Sequence, residues 1–234
     1  MTKLTDTSLD GNGNLLAHYE FDSGALVTDS SGNSRTLTNN NTVGETASGK
    51  YGYGADFGDP NTDKDFSRAE DIWANGAASF VCWAKRTNIT DTMGFMLLND
   101  AATMKQLYLY VTSANLAAAI YRVGEGYDTV TTATPPDTKW HHYALTLTTG
   151  AGGTMLTYLD GVQLGTKVVT NSSGSVGQAD QYKVGIDAGN RMEGLMDDVA
   201  FFNDVLTPAE IKELAYVPIG GNPMFFSSGG LAVS

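Results

Sequence analysis

The chain has 234 residues, with 14 basic and 26 acidic side chains and a net charge of −12. That balance repels phosphate backbones, so it argues against nucleic acid and anionic membrane surfaces as partners. No apolar run approaches the ~18 residues of a membrane span, so no membrane insertion is expected. Charged residues make up 17% of the chain, below the roughly 25% of an average protein. Thr, Ser, Asn and Gly must then supply much of the polar surface, which suits an extracellular or particle-borne β protein. The length fits one large all-β sandwich that buries its core without staples. The single cysteine, Cys82, leaves no internal disulfide and sits in the apolar run FVCWA, as a buried small hydrophobe would.

Residues 1–14 are polar and rich in Gly and Asn, and read as an arm. They lack the apolar core of a secretory signal, so synthesis in a cytoplasm without a signal peptide is expected. The sequons at Asn40, Asn88 and Asn171 then read as plain loop asparagines. From Leu15 onward, short apolar runs alternate with Gly/Asn/Asp turns. Strands are expected at Leu15–Phe21, Tyr53–Phe57, Ser79–Arg86, Gly94–Leu98, Gln106–Thr112 and Leu116–Arg122. Further strands are expected at Trp140–Thr148, Thr154–Leu159, Val162–Val168, Gln181–Ile186 and Glu193–Phe202. Trp140 to Val162 reads as strands joined by turns. Gly150–Gly153 breaks one alternation, and Asp160-Gly161 supplies the positive φ values of a type I′ hairpin turn. Thr207-Pro208-Ala209-Glu210 is a capping box with proline at the first helical position, ahead of Ile211 and Leu214, and predicts one short surface helix. The glycine- and proline-rich tail, 216–234, fits no period. Such a tail loses much entropy on ordering. Both arms are therefore expected to lie against neighbouring subunits or another protein, in a homo-oligomer or another assembly; the alternative is that the tail packs on its own domain. The domain proper spans 15–215.

Five stretches in order carry a resemblance: LLAHYEFDSGALVTDSSGN from Leu15, YGADF from Tyr53, SFVCWAK from Ser79, Trp140–Gly161, and GLMDDVAFFNDVLTPAEIKEL from Gly194. Together they resemble the laminin-G-like, pentraxin-like members of the concanavalin A-like lectin/glucanase superfamily. The resemblance covers residues 15–215 and implies an antiparallel jelly-roll β-sandwich whose first and last strands are neighbours. It does not choose among lectins, adhesion domains, pentraxins and glycosidases.

Two constellations follow. Domains of this kind often carry a structural calcium between the first strand, the following loop and the last strand. The resemblance maps Asp29 and Asn33 onto the loop and Asp198 onto the strand, and Asp22 ends the first strand. Calcium takes six to eight oxygen ligands, which these side chains could supply; alternatively, Asp29 and Asn33 cap a turn. The second constellation is a tyrosine face. Alternation puts Tyr108 and Tyr110 on one side of their strand, and Tyr121 beside Ala117 and Ala119 on the next. Small neighbours should leave the rings standing clear for sugar to stack on, or for a protein partner. A further acidic loop, Asp59–Asp65 with Glu70, carries Lys64 where a calcium loop needs glycine, and reads as a solvated hairpin, while the resemblance implies a strand near Phe66–Ala69.

No catalytic constellation emerges. His141 and His142 alternate to opposite faces, His18 has no ligand-spaced partner, and Asp197 and Asp198 are expected to face opposite ways. The glutamates at 20, 45, 70, 125, 193, 210 and 213 are scattered and form no closely spaced acid pair of glycosidase type. The expected function is a non-enzymatic recognition or adhesion module, glycan-binding, contacting glycan or protein on a surface. It is expected as a structural subunit of a larger particle such as a virion, as a capsid decoration or tail protein. The alternatives are an assembly element with no sugar binding, and a glycoside hydrolase or lyase.

Overall fold

In the computed structural model of the chain, residues 14–58, 63–73, 77–100, 105–122, 124–134, 137–148, 152–170, 180–187 and 189–216 are described. Apart from their inner ends, the two arms expected at 1–14 and 216–234 lie outside these residues.

The period-two alternation builds strands in chain order: β1 (Leu15–Tyr19), β2 (Thr38–Asn40), β3 (Gly44–Gly49), β4 (Gly52–Gly58), β5 (Asp65–Arg68), β6 (Ala78–Arg86), β7 (Met93–Asp100), β8 (Lys105–Val111), β9 (Asn115–Arg122), β10 (Gly126–Ala133), β11 (Trp140–Leu147), β12 (Thr154–Leu159), β13 (Val162–Val168), β14 (Gln181–Val184) and β15 (Gly194–Phe202). One helix, α1 (Pro208–Leu214), follows. An eight-stranded sheet runs β13-β12-β11-β6-β15-β4-β3, with β1 also paired to β15. A seven-stranded sheet runs β10-β9-β8-β7-β14-β5-β2. All the pairings are antiparallel, and β1 lies on β15 as the resemblance implied.

The inner faces meet in one apolar core that holds Phe21, Phe57, Phe66, Trp73, Phe80, Phe95, Tyr143 and Phe201. Aromatics of this size bury roughly 150–250 Å² each and dominate such a core. Cys82 lies among them, and burial holds its thiol protonated, as a packing group.

On the outer face of the eight-stranded sheet, α1 buries Ile211 and Leu214 against Val81, Ala144, Tyr158, Ala200 and Phe202. The expected capping box is formed: the Glu210 backbone N–H donates to the Thr207 hydroxyl, and the Thr207 N–H donates to the Glu210 carboxylate. At the β12–β13 turn Asp160 and Gly161 have φ of 49° and 75°. A Cβ on Gly161 would stand 2.9 Å from the α1 backbone at Lys212, so glycine serves both the turn and the close approach of the helix.

Two expectations change here. Asp197 and Asp198 do not face opposite ways. A bulge between Asp197 and Ala200, with Asp198 at φ 50°, breaks the alternation. Asp197 stays opposite Trp83, Asp198 bonds His18, and both carboxylates end on the outer side of the sheet. In addition, β2, β3 and β10 are strands where none was expected. Their residues are mostly Thr, Asn, Gly and Ser, with little apolar alternation.

Candidate functional site

The tyrosine face is built on β8, β9 and β10. Residues 112–115 close the β8–β9 hairpin, with the Thr112 N–H donating to the Asn115 carbonyl. The resulting register sets Tyr108 against Ala119, Tyr110 against Ala117, and Tyr121 against Gln106. On the other side of β9, Tyr121 lies opposite Tyr127 of β10, and Ala119 and Ala117 lie opposite Thr129 and Thr131. All of these side chains are on the outer face of the seven-stranded sheet.

The rings do not stand clear of the alanines. Tyr108 is 6% exposed and packs with Leu97, Ala119 and Ile186, while Tyr110 and Tyr121 are half-buried against the same cluster. Alanine leaves room, and the rings fill it by lying down, because that removes apolar surface from water. The accessible aromatic is one that the sequence reading missed: Tyr127, 63% exposed, with its ring 4.6 Å from that of Tyr121 at 37°. Burial, followed by interaction with Tyr127, pushes the Tyr108 phenol up, and burial with the charge of Asp187 does the same for Tyr110. Both phenols are therefore protonated at neutral pH and can donate to and accept from hydroxyl groups. Polar side chains flank the rings. Gln106 donates to Asn99 at 3.1 Å, Thr129 and Thr131 are exposed on β10, and Lys183 pairs with Asp65 at 3.6 Å.

The four residues mapped to calcium are used differently. The Asp29 carboxylate accepts backbone N–H bonds from His18 (3.0 Å), Ser31 (2.9 Å) and Arg35 (2.8 Å). Burial opposes its ionisation, but these bonds hold it below the ordinary carboxylate range. Asn33 turns its amide N–H groups onto the carbonyls of Leu15 and Leu16, and the Arg35 guanidinium adds a bond to Leu16 at 2.6 Å. Asp198 faces the buried His18 ring at 2.7 Å. Asp22 is exposed, and burial of its neighbourhood with the charges of Glu20 and Asp198 raises its carboxyl. Where calcium would need converging oxygens, the fold has placed N–H donors and an imidazole. Among the described residues no group of three or more His, Cys, Asp or Glu could hold a metal, and the carboxylates of Asp29 and Asp198 already face N–H donors and the His18 ring. The turn-capping role of Asp29 and Asn33 is the one formed.

In the acidic loop around Asp59–Asp65, residues 59–62 lie outside the described residues. Asp63 pairs with Arg191 at 3.2 Å, and Asp65 is buried and accepts from Asn40 at 2.6 Å. Glu70 is shared by Arg35 and Arg68. These acids are engaged within the fold.

The histidines separate as their alternation implied. His141 bridges Asp160 (2.7 Å) and Asp137 (2.9 Å) and is raised by them against its burial. His142 packs on Trp83, and burial drops it to about 3, so it is neutral. Asp160 therefore does more than turn the chain: its carboxylate holds the His141 ring and accepts the His142 N–H.

A jelly-roll sandwich of two antiparallel sheets is a lectin-like fold. The chain belongs to the concanavalin A-like lectin/glucanases superfamily, whose family model matches residues 58–212. No curated protein sequence matches it. Among solved structures it is similar to domain 4 of the extracellular arabinanase AbnA from Geobacillus stearothermophilus, in complex with arabinotriose. That match has 19% identity and a TM-score of 0.68, and covers 86% of this chain and 98% of that one. It is also similar to the binding domain of Paraclostridial Mosquitocidal Protein 1 (14% identity, TM-score 0.70, covering 87% and 52%). A third is the binding domain of botulinum neurotoxin DC in complex with rat synaptotagmin II (12% identity, TM-score 0.70, covering 89% and 52%). The chain spans about half the length of these toxin binding domains. At such identities the likeness shows the fold.

Proposed function

We propose that this domain is a non-enzymatic glycan-recognition module that reads sugar on the outer face of the seven-stranded sheet, through Tyr127, Tyr121 and Tyr110. The observation that carries this reading is the Tyr121–Tyr127 pair: an exposed ring braced by a half-buried one, beside amide, hydroxyl and phenol groups. Sugar C–H faces stack on such rings while the polar rim bonds their hydroxyls. Tyr108 and the alanines form the floor that fixes the rings in place, which lowers the entropy lost on binding. The fold resemblance to an arabinanase domain bound to arabinotriose is consistent with this role. The histidines also support a binding role over an enzymatic one, since His141 is tied at both ring nitrogens and His142 is buried and neutral.

A surface poor in charge and rich in Thr, Ser, Asn and Gly supports display outside a cell or on a particle such as a virion. Assembly through 1–14 and 216–234 belongs to the same proposal, and mass measurement in solution with and without those segments tests it. The glycan reading is tested by an oligosaccharide array probed with the full chain and with Tyr127→Ala. Specific binding that the variant loses is expected. Binding that survives in Tyr127→Ala, or no binding by the wild type, refutes it; the latter together with a defined oligomer would favour a purely structural role.

A further inference from the structure

Resting on the sugar-binding reading above, we infer that the tyrosine face selects uncharged glycans and turns away chains bearing uronate, sialate or sulfate. Three observations converge. The chain carries −12 overall, so an approaching anion meets repulsion before contact. Within the site, the Asp187 backbone packs against Gly94, the β7 partner of Tyr110, and its carboxylate adds to burial in raising the Tyr108 and Tyr110 phenols, so a second negative charge is disfavoured there. The carboxylate is fixed by bonds from the Gly189 N–H (2.8 Å), the Asn190 N–H (2.7 Å) and the Asn190 amide (2.9 Å), so it cannot swing away.

Among the described residues, Lys183 is a cation placed where it would serve an acidic sugar. Lys183 shares the row of Leu97 and Tyr108, because the register runs Lys183–Leu97–Tyr108 across β14, β7 and β8. Its ammonium is committed to Asp65, which is buried and fixed by Asn40. A cation free to pair with the ligand is the strongest partner for an acidic sugar. What the face offers is hydroxyl, amide and phenol groups, the complement of neutral sugar hydroxyls. Asp65 is thus a specificity-determining residue that never touches the sugar.

The test uses the full chain on an array of neutral oligosaccharides printed beside their uronate, sialylated and sulfated counterparts. Calorimetry then compares the best neutral binder with its uronate form at low and high salt. Neutral binding should be insensitive to salt. The uronate form should bind at least about tenfold more weakly at low salt, with a gap that narrows as salt screens the field. Asp65→Asn keeps the shape and the acceptor for Asn40 while releasing Lys183. It should raise uronate affinity several-fold and leave neutral affinity unchanged. Uronate binding equal to or tighter than neutral binding, or an Asp65→Asn variant that alters both ligands alike, overturns the selectivity and leaves the sugar-binding reading standing. Absence of any binding on the array overturns both.

Discussion

Replacing Asp29 by alanine removes three accepted hydrogen bonds from the loop after β1 in one step. The carboxylate oxygens receive the N–H groups of His18, Ser31 and Arg35 at 2.8–3.0 Å. A hydrogen bond to a charged acceptor contributes about 1.5–3 kcal/mol, and a stranded buried N–H costs a similar amount. The side chain is part-exposed and the three bonds are not additive, so the expected loss is about 2–4 kcal/mol in total. The sign with pH follows from the lowered folded-state value of this acid. Its contribution is present above the unfolded value near 3.8 and is lost as pH falls through the depressed folded value. Urea denaturation of both proteins should therefore show the deficit in full at pH 7 and a shrinking one in strong acid. The same melts in excess chelator should not move the wild type, because protein donors fill the positions a cation would need. A deficit below about 0.5 kcal/mol, the scale of an ordinary surface change, refutes the capping account. So does a wild-type melt that falls in chelator.

Thr207→Ala removes one half of the capping box at α1 and should cost about 1 kcal/mol by chemical denaturation. Sugar binding should be unaffected, because α1 lies on the other sheet. His141→Gln removes an imidazolium held by Asp160 and Asp137. The folded value of His141 is raised, so its contribution is complete below 6.5 and is lost as pH rises through the raised value. Both acids are lowered, so their share is lost only in acid. The variant should be less stable by about 1 kcal/mol near pH 6, with the difference closing at alkaline pH, since pairs whose acids are part-exposed are weak. A difference independent of pH in thermal melts refutes that assignment.

The scaffold was legible because its signals are local. The strand at Val162–Val168, the turn at Asp160-Gly161 and the capped helix at Thr207 each depend on a few adjacent residues. β10 was not, because Gly126–Ala133 alternates threonine with buried Asp128 and Val130, a pattern that resembles loop in a threonine-rich chain. Tyr127 went unseen with it. The signal available was Tyr127 itself, one tyrosine after Gly126, spaced to pair with Tyr121 once a hairpin from β9 is granted. The acidic cluster was legible as a cluster, but residue type does not reveal which oxygens already accept backbone N–H groups. Asp198 shows the limit of alternation: one residue at φ 50° moved its carboxylate to the opposite face.

If sugar lies on the outer face of β8–β10, the tyrosine rings there must report it. The chain holds 11 tyrosines, and their ring resonances report contact one residue at a time. With tyrosine ring carbons isotopically labelled, the chain is titrated by NMR with the glycan that the array identifies. Saturable shifts are expected at Tyr127, Tyr121 and Tyr110, with Tyr51 and Tyr53 on the other sheet unmoved. Shifts at Tyr51 or Tyr53 with Tyr127 and Tyr121 unchanged would contradict that placement.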